Sequence, residues 1–290
     1  RPLNAAGGFF VCPSRQKYAT LTAMDTATQD AIRIVMLGDV VGEKACDDVA
    51  RSLAKIRSQY KADFLIVNAE NVDNGGGLSP ADARLLFESG ADCITSGNHI
   101  WDRKDHEELF ELAGVLRPIN YAPELPGNGV FVCERNGKTL AVINAQGTRD
   151  MVPILNPFDH VKEAAENIRE RHAGKNLAVF VDFHAESFAE KEALAWYCDG
   201  HISALVGTHT HVQTADERIL PRGAGYLGDV GMCGVLDAVI GFDAETSVER
   251  ARNNTNMTMN VAEGKTSLCG VYLEIQGSAC RKIQPFIMQA

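Results

Sequence analysis

Residues 31–290 predict an α/β fold, a layered sandwich of mixed β-sheets flanked by helices. Three observations carry that expectation. Short apolar runs alternate with stretches whose apolar residues recur at helical spacing. The early runs are separated by helix-length segments, as parallel strands require. Two later runs are joined by a tight turn, which adds an antiparallel pair and makes the sheets mixed.

Ile34-Val35-Met36-Leu37 is a buried strand that ends in Gly38-Asp39. From about Lys44 to Tyr60, Val49, Leu53, Ile56 and Tyr60 share one helical face. Phe64-Leu65-Ile66-Val67 is the next strand and runs into Asn68-Ala69-Glu70-Asn71. After the Gly75-Gly76-Gly77 loop, Ser79-Pro80-Ala81-Asp82 reads as N-cap, N1 proline and first-turn acid, opening a helix to about Ser89. Cys93-Ile94-Thr95 is a third strand, ending in Ser96-Gly97-Asn98-His99, and a third helix is expected over 102–112. Strands follow at 129–133, 139–143, 177–183, 202–206 and 268–275, with helices near 159–172 and 185–197. Asn136-Gly137 marks the hairpin turn. Residues 1–30 are polar and aperiodic, and are set apart as an N-terminal extension, disordered or artefactual. No linker divides residues 31–290, which are expected to be a single domain.

Composition narrows the function. The net charge of −10, without a Lys/Arg-rich run, argues against duplex nucleic-acid binding, which depends on many phosphate contacts. No apolar run reaches the roughly 18 residues of a membrane span, and no signal-peptide core is present, so a cytoplasmic location is expected. The eight cysteines are scattered with no C-x-x-C pair, and read as reduced core residues rather than disulfides or thiolate metal ligands.

The chemistry lies where the polar residues fall. Asp39, Glu70-Asn71 and Asn98-His99 each follow the end of an apolar strand, and so do His184 and His209-Thr210-His211. In open α/β sheets the carboxyl ends of the strands form the ligand-binding edge. Asp39, Glu70, Asn71, Asn98, His184, His209 and His211 offer carboxylate, amide and imidazole donors without thiolate, a set that suits Mn, Fe, Zn or Ni. Those donors are too many for one tetrahedral ion, so two ions are expected, with a bridging carboxylate and a bridging hydroxide. Each residue alone reads more simply as a turn or core residue; their joint placement is the signal. His106, His160, His172 and His201 have no such placement and read as surface or packing residues. The Gly75–Gly77 loop lacks the Lys-Ser/Thr of a P-loop.

The blocks Gly38-Asp39-Val40-Val41-Gly42, Asn68-Ala69-Glu70-Asn71, Thr95-Ser96-Gly97-Asn98-His99-Ile100-Trp101-Asp102 and Gly207-Thr208-His209-Thr210-His211 resemble the calcineurin-like metallophosphoesterase superfamily, and most closely its YmdB-like phosphodiesterase family. Val41 stands where the superfamily usually has a histidine, and Glu70 where it usually has a bridging Asp; both departures are features of the YmdB-like branch. Asp229-Val230-Gly231-Met232 also fits, whereas Cys233-Gly234-Val235-Leu236 departs from an expected Gly-Pro. The resemblance implies that Asp39, Asn71 and His211 serve one metal, that Asn98, His184 and His209 serve the other, and that Glu70 bridges them. It further implies iron or manganese (zinc as a third choice), a homo-oligomer, and a small phosphodiester substrate, 2′,3′-cyclic nucleotides foremost. His99 matches the family's catalytic histidine and is expected to act as general acid while the bridging hydroxide attacks phosphorus. Asp182 and Asp229 are expected to orient ligand histidines, and Thr208 and Arg149 to meet substrate. The competing readings are a metal-dependent phosphomonoesterase or nucleotidase, and a non-catalytic metal-binding regulatory protein.

Overall fold

The computed structural model describes residues 31–290, so the expectations for residues 1–30 and for Cys12 lie outside it. The chain starts by alternating strand and helix: β1 (Ile32–Leu37), β2 (Asp39–Val40), α1 (Glu43–Tyr60), β3 (Phe64–Asn68), α2 (Pro80–Glu88) and β4 (Cys93–Thr95). A 3-10 turn (Asn98–Trp101) and the short α3 (His106–Leu109) follow. Next come β5 (Val130–Arg135), β6 (Lys138–Gln146), α4 (Pro157–Arg171), β7 (Asn176–His184), α5 (Phe188–Cys198) and β8 (Ala204–Thr208). The last part holds β9 (Arg218–Ile219), β10 (Gly225–Leu227), β11 (Met232–Gly234), α6 (Ala244–Asn253), β12 (Ser267–Gln276) and β13 (Ala279–Gln289).

These strands form two mixed sheets. One has the order β2-β11-β12-β1-β3-β4 with β13 added on β12; the other has the order β5-β6-β7-β8-β10-β9. β1, β3 and β4 are parallel, as are β6, β7 and β8, whereas β12 runs antiparallel to β1. The strand pleat sorts the side chains. Ile32, Ile34 and Met36 of β1 face Ala178 and Phe180 of β7 in a core between the sheets. Val35 and Leu37 point the other way, to Val49, Leu53 and Ile56 of α1. Val179, Val181 and Phe183 meet Val161, Ala165 and Leu194 of α4 and α5 on the far side. Helices therefore cover both outer faces, and strands buried on both faces read as continuous apolar runs.

Local signals hold where they are strong. Ser79 accepts the Asp82 N–H at 3.1 Å and Pro80 opens α2. Asn136 and Gly137 both adopt positive φ (51° and 75°), the geometry of the β5–β6 hairpin turn. The helix expected over 102–112 is a correction: only 106–109 is α-helical. Arg103 pairs with Asp73 and Asp105 there, and Trp101 packs on Phe110 and Tyr121, so side-chain and tertiary contacts outcompete helix. The seven described cysteines are free and all but Cys133 are buried. No helix among the described residues is long and apolar enough to cross a membrane.

Candidate metal centre

The structure gathers the predicted donors where the C-terminal ends of β1, β3, β4, β7 and β8 meet across the two sheets. His184, the last residue of β7, is central. Its Nδ1 lies 3.6 Å from Asp39 Oδ1 and its Nε2 3.6 Å from Glu70 Oε1. His209 Nδ1 is 3.0 Å from His184 Nε2, and the His209 N–H donates to Asp39 Oδ2 at 3.3 Å. Across the mouth, His211 Nε2 sits 3.2 Å from Asn71 Oδ1. Glu70 accepts the N–H groups of Gly97 and His99, which ties the loop after β4 to the loop after β3. Gly97 is required by close approach: a Cβ there would stand 2.0 Å from the His184 ring. His106, His160, His172 and His201 lie away from this cluster and keep local partners or packing roles.

Proton positions test whether the donors suit cations. Ile240 O can only accept, so the 2.8 Å bond to His211 Nδ1 places the proton there. His211 Nε2 then presents a lone pair to Asn71 Oδ1, whose amide is fixed by donating from Nδ2 to Gly75 O at 2.8 Å. Two acceptors thus face each other, an arrangement that a cation satisfies. Asp39 Oδ1 and Asn98 Oδ1 are buried without a hydrogen-bond partner. The His184 side is similar: Thr208 Oγ1 donates to Asp182 Oδ1 at 2.8 Å and takes the His184 Nδ1 proton at 3.0 Å, which turns the Nε2 lone pair to the mouth. Among the described residues no three His, Cys, Asp or Glu side chains form a ready-made ligand cluster. The rings contact one another instead, so two ions would need these side chains to part, and Asn71 and Asn98 to contribute amide oxygens.

Electrostatics agree with that reading. Burial, then the charge of Asp229, pushes Asp39 up to about 8, and burial pushes Glu70 well above the usual carboxylate range. Burial drives His184 well below its ordinary value, His209 down to about 4 and His211 downward as well. Neutral imidazoles are metal ligands, and a dication reverses the penalty on the carboxylates.

The supporting residues are clearer than the sequence made them. Asp182 accepts from Asn68 Nδ2 at 2.9 Å and reaches His184 only through Thr208. Thr208 is fully buried between them, so its expected role at the substrate is corrected. Asp229 touches neither imidazole; it holds the backbone and hydroxyl of Thr210. Arg149 lies at the rim of a separate cavity of about 870 Å³, beside Ser187 and Glu190, and not among the donors.

Three of the predicted donors, Asn71, His209 and His211, line a cavity of about 520 Å³ together with His99, and Glu186, Ile240, Phe242, Arg250 and Met259 complete its wall. His99 Nδ1 is 2.6 Å from Asp102 Oδ2, which fixes the ring and leaves Nε2 free. The Gly-rich loop packs on this pair: a Cβ on Gly76 would stand 3.1 Å from Asp102 Oδ2. Asp102, Glu186, Lys191 and Arg250 were not identified from sequence. Asp102 had a signal, three residues after His99; Arg250, on an exposed helix, had none.

Comparisons with known proteins place these features in a family. The family described as YmdB-like protein matches residues 35–286. A 2′,3′-cyclic-nucleotide 2′-phosphodiesterase of Bacillus subtilis is 44% identical over 254 residues, covering 87% of this chain and 95% of its own length. A hypothetical protein from Thermus thermophilus has a solved structure that superposes with a TM-score of 0.82 at 36% identity, covering 89% of this chain and 99% of that one. A novel phosphatase from Mycoplasma pneumoniae superposes with a TM-score of 0.81 at 34% identity, covering 89% of this chain and 94% of that one.

Proposed function

The chain belongs to the YmdB-like protein family and is a phosphoester hydrolase, and on that premise we propose that it is a dinuclear-metal phosphodiesterase acting on 2′,3′-cyclic nucleotides, with His99 as general acid. The observation that supports the reading is the shared cavity: Asn71, His209 and His211 line it together with His99, whose ring Asp102 holds. Asp39, Asn71 and His211 would hold one ion, Asn98, His184 and His209 the other, with Glu70 between them. Iron or manganese suits this oxygen–nitrogen set, and zinc is the third choice. Bound there, the ions would supply a water of lowered pKa and positive charge facing the phosphoryl oxygens.

The chain's own residues supply the rest. A sugar alkoxide leaves poorly without a proton; His99 as imidazolium, its Nδ1–H held by Asp102, would give one from Nε2 and be left as the neutral ring. Glu70 accepts the His99 N–H, so the loop that carries the proposed acid is tied to a metal donor on the neighbouring loop. A cytoplasmic homo-oligomer acting on a small soluble diester completes the proposal; the free cysteines among the described residues support the location alone. The test is hydrolysis of 2′,3′-cyclic AMP by Mn-loaded protein, beside a chelated sample and a simple phosphomonoester. Chelator-sensitive cleavage of the cyclic diester with little monoester turnover is expected. Monoester turnover alone would replace this reading with a phosphatase, and silence on both with two ions bound would leave a metal-binding protein without this activity.

A further inference from the structure

Lys191 has no exposed side-chain surface. It sits on the inward face of α5, in the stripe it shares with Leu194, Ala195 and Cys198. Its Nζ lies 2.9 Å from Asp229 Oδ2, and Asp229 is buried to the same degree. That carboxylate is fully used: Oδ2 also accepts the Thr210 hydroxyl at 2.8 Å and the Thr210 N–H at 3.1 Å, and Oδ1 accepts the Gly231 N–H at 2.8 Å. Thr210 is flanked by His209 and His211, whose φ values are 99° and 65°. Positive φ is costly for residues with a Cβ and persists only where surroundings enforce it. In this loop, Asp229 is the group that grips the residue between the two strained histidines. Gly207 is required first by the Gly228 carbonyl, 1.9 Å from where a Cβ would stand, and its lack of a side chain also leaves room for the lysine stem, whose Cδ would lie 2.8 Å away.

We infer that Lys191 and Asp229 form a buried strut that holds the His209-Thr210-His211 turn, with its positive φ at both histidines, making Lys191 a positioning residue for both metal ions although it touches neither imidazole. Removing the ammonium leaves Asp229 as a buried, uncompensated charge, and its grip on Thr210 is then lost or rearranged. The inference rests on the metal reading above and adds a residue remote from the ligands.

The experiment compares Mn²⁺ binding by calorimetry, and thermal melting, for wild type, Lys191→Met and Leu194→Ala. Leu194 lies on the same helix, is equally buried and belongs to the helix-facing core. Lys191→Met is expected to bind Mn²⁺ at least about tenfold more weakly, the usual scale for residues that orient ligands. Leu194→Ala is expected to melt earlier yet bind Mn²⁺ like wild type. Unchanged affinity in Lys191→Met, or affinity lost in both variants in step with stability, overturns the inference alone. A wild-type chain that takes up no ion overturns the metal reading and this inference with it. Should Lys191→Met fail to fold, Thr210→Val, which deletes one bond to Asp229, decides: weakened Mn²⁺ binding supports the strut and unchanged binding overturns it.

Discussion

The middle of the two sheets and the inner wall of the mouth at their carboxyl edge are both buried and are chemically opposite. In the middle, Ile34, Met36, Phe64, Phe180 and Leu273 are sealed among other apolar side chains. Asp39, just past the end of β1, and Asp182 and His184, further along β7, are sealed almost as completely. Burial lowers the free energy of the first group and raises that of the second unless partners compensate. The mouth is therefore a region that the core holds in place, at a cost which the proposed function would explain.

The sharpest way to break that contrast is at His99. Replacing it by Ala is expected to lower cyclic-diester turnover by about 10²–10⁴-fold, the usual range for general acid catalysis. The melting temperature should stay near wild type, because the side chain is partly exposed and packs into no core cluster. A loss below about tenfold in steady-state kinetics would remove the acid role from His99.

Phe180→Ala tests the other side. Deleting this fully buried ring is expected to cost about 3–5 kcal/mol, read as a lower urea midpoint. Turnover per folded molecule should be unchanged; a matching drop in kcat at full folding would show that core and mouth are not separable.

The smallest effect lies in the mouth's own titration. With ions chelated, burial and then Asp229 keep Asp39 protonated up to about 8 against 3.8 in an open chain, and burial keeps Asp182 protonated up to about 7. The folded chain thus binds more protons than the unfolded one through that window, and stability falls as pH rises. Below 6.5 the lowered imidazoles of His184 and His209 act in the opposite sense, because the unfolded chain then binds the extra protons. The chelated protein is therefore expected to melt lower at pH 8 than at pH 6.5, and added Mn²⁺ should erase the difference. Identical chelated melts at the two pH values would contradict the buried-carboxylate account.

What the sequence discloses follows from the same contrast. β1, β3, β4 and β7 are apolar runs, and their polar terminators stand out against them, so the strands and the donors were legible together. β10 and β11 are three residues each in a Gly-rich stretch with no period to read, and they went unassigned. β13 and α6 were missed as well: β13 carries Arg281, Lys282 and Pro285 as an added strand on β12, and α6 buries little. Lys191 was visible in principle, a lone charge in an apolar stripe at helical spacing. Its partner Asp229 stood out in the sequence as a residue expected to orient a histidine, but its pairing with Lys191 appears only once the fold brings the two elements together.

The pairing of β1 with β12 has a temporal consequence. Ile32 lies opposite Ile275, so the first strand of the domain waits for nearly the whole chain before one of its edges is covered. Contacts this remote in sequence slow folding, and an uncovered central strand is a template for pairing with other chains. His209 and His211 belong to the later part of that sequence, after Asp39, Glu70 and Asn98 have long emerged. On the proposed metal reading, ion capture would be a late event in the life of each molecule, and refolding from denaturant should regain secondary structure before metal binding.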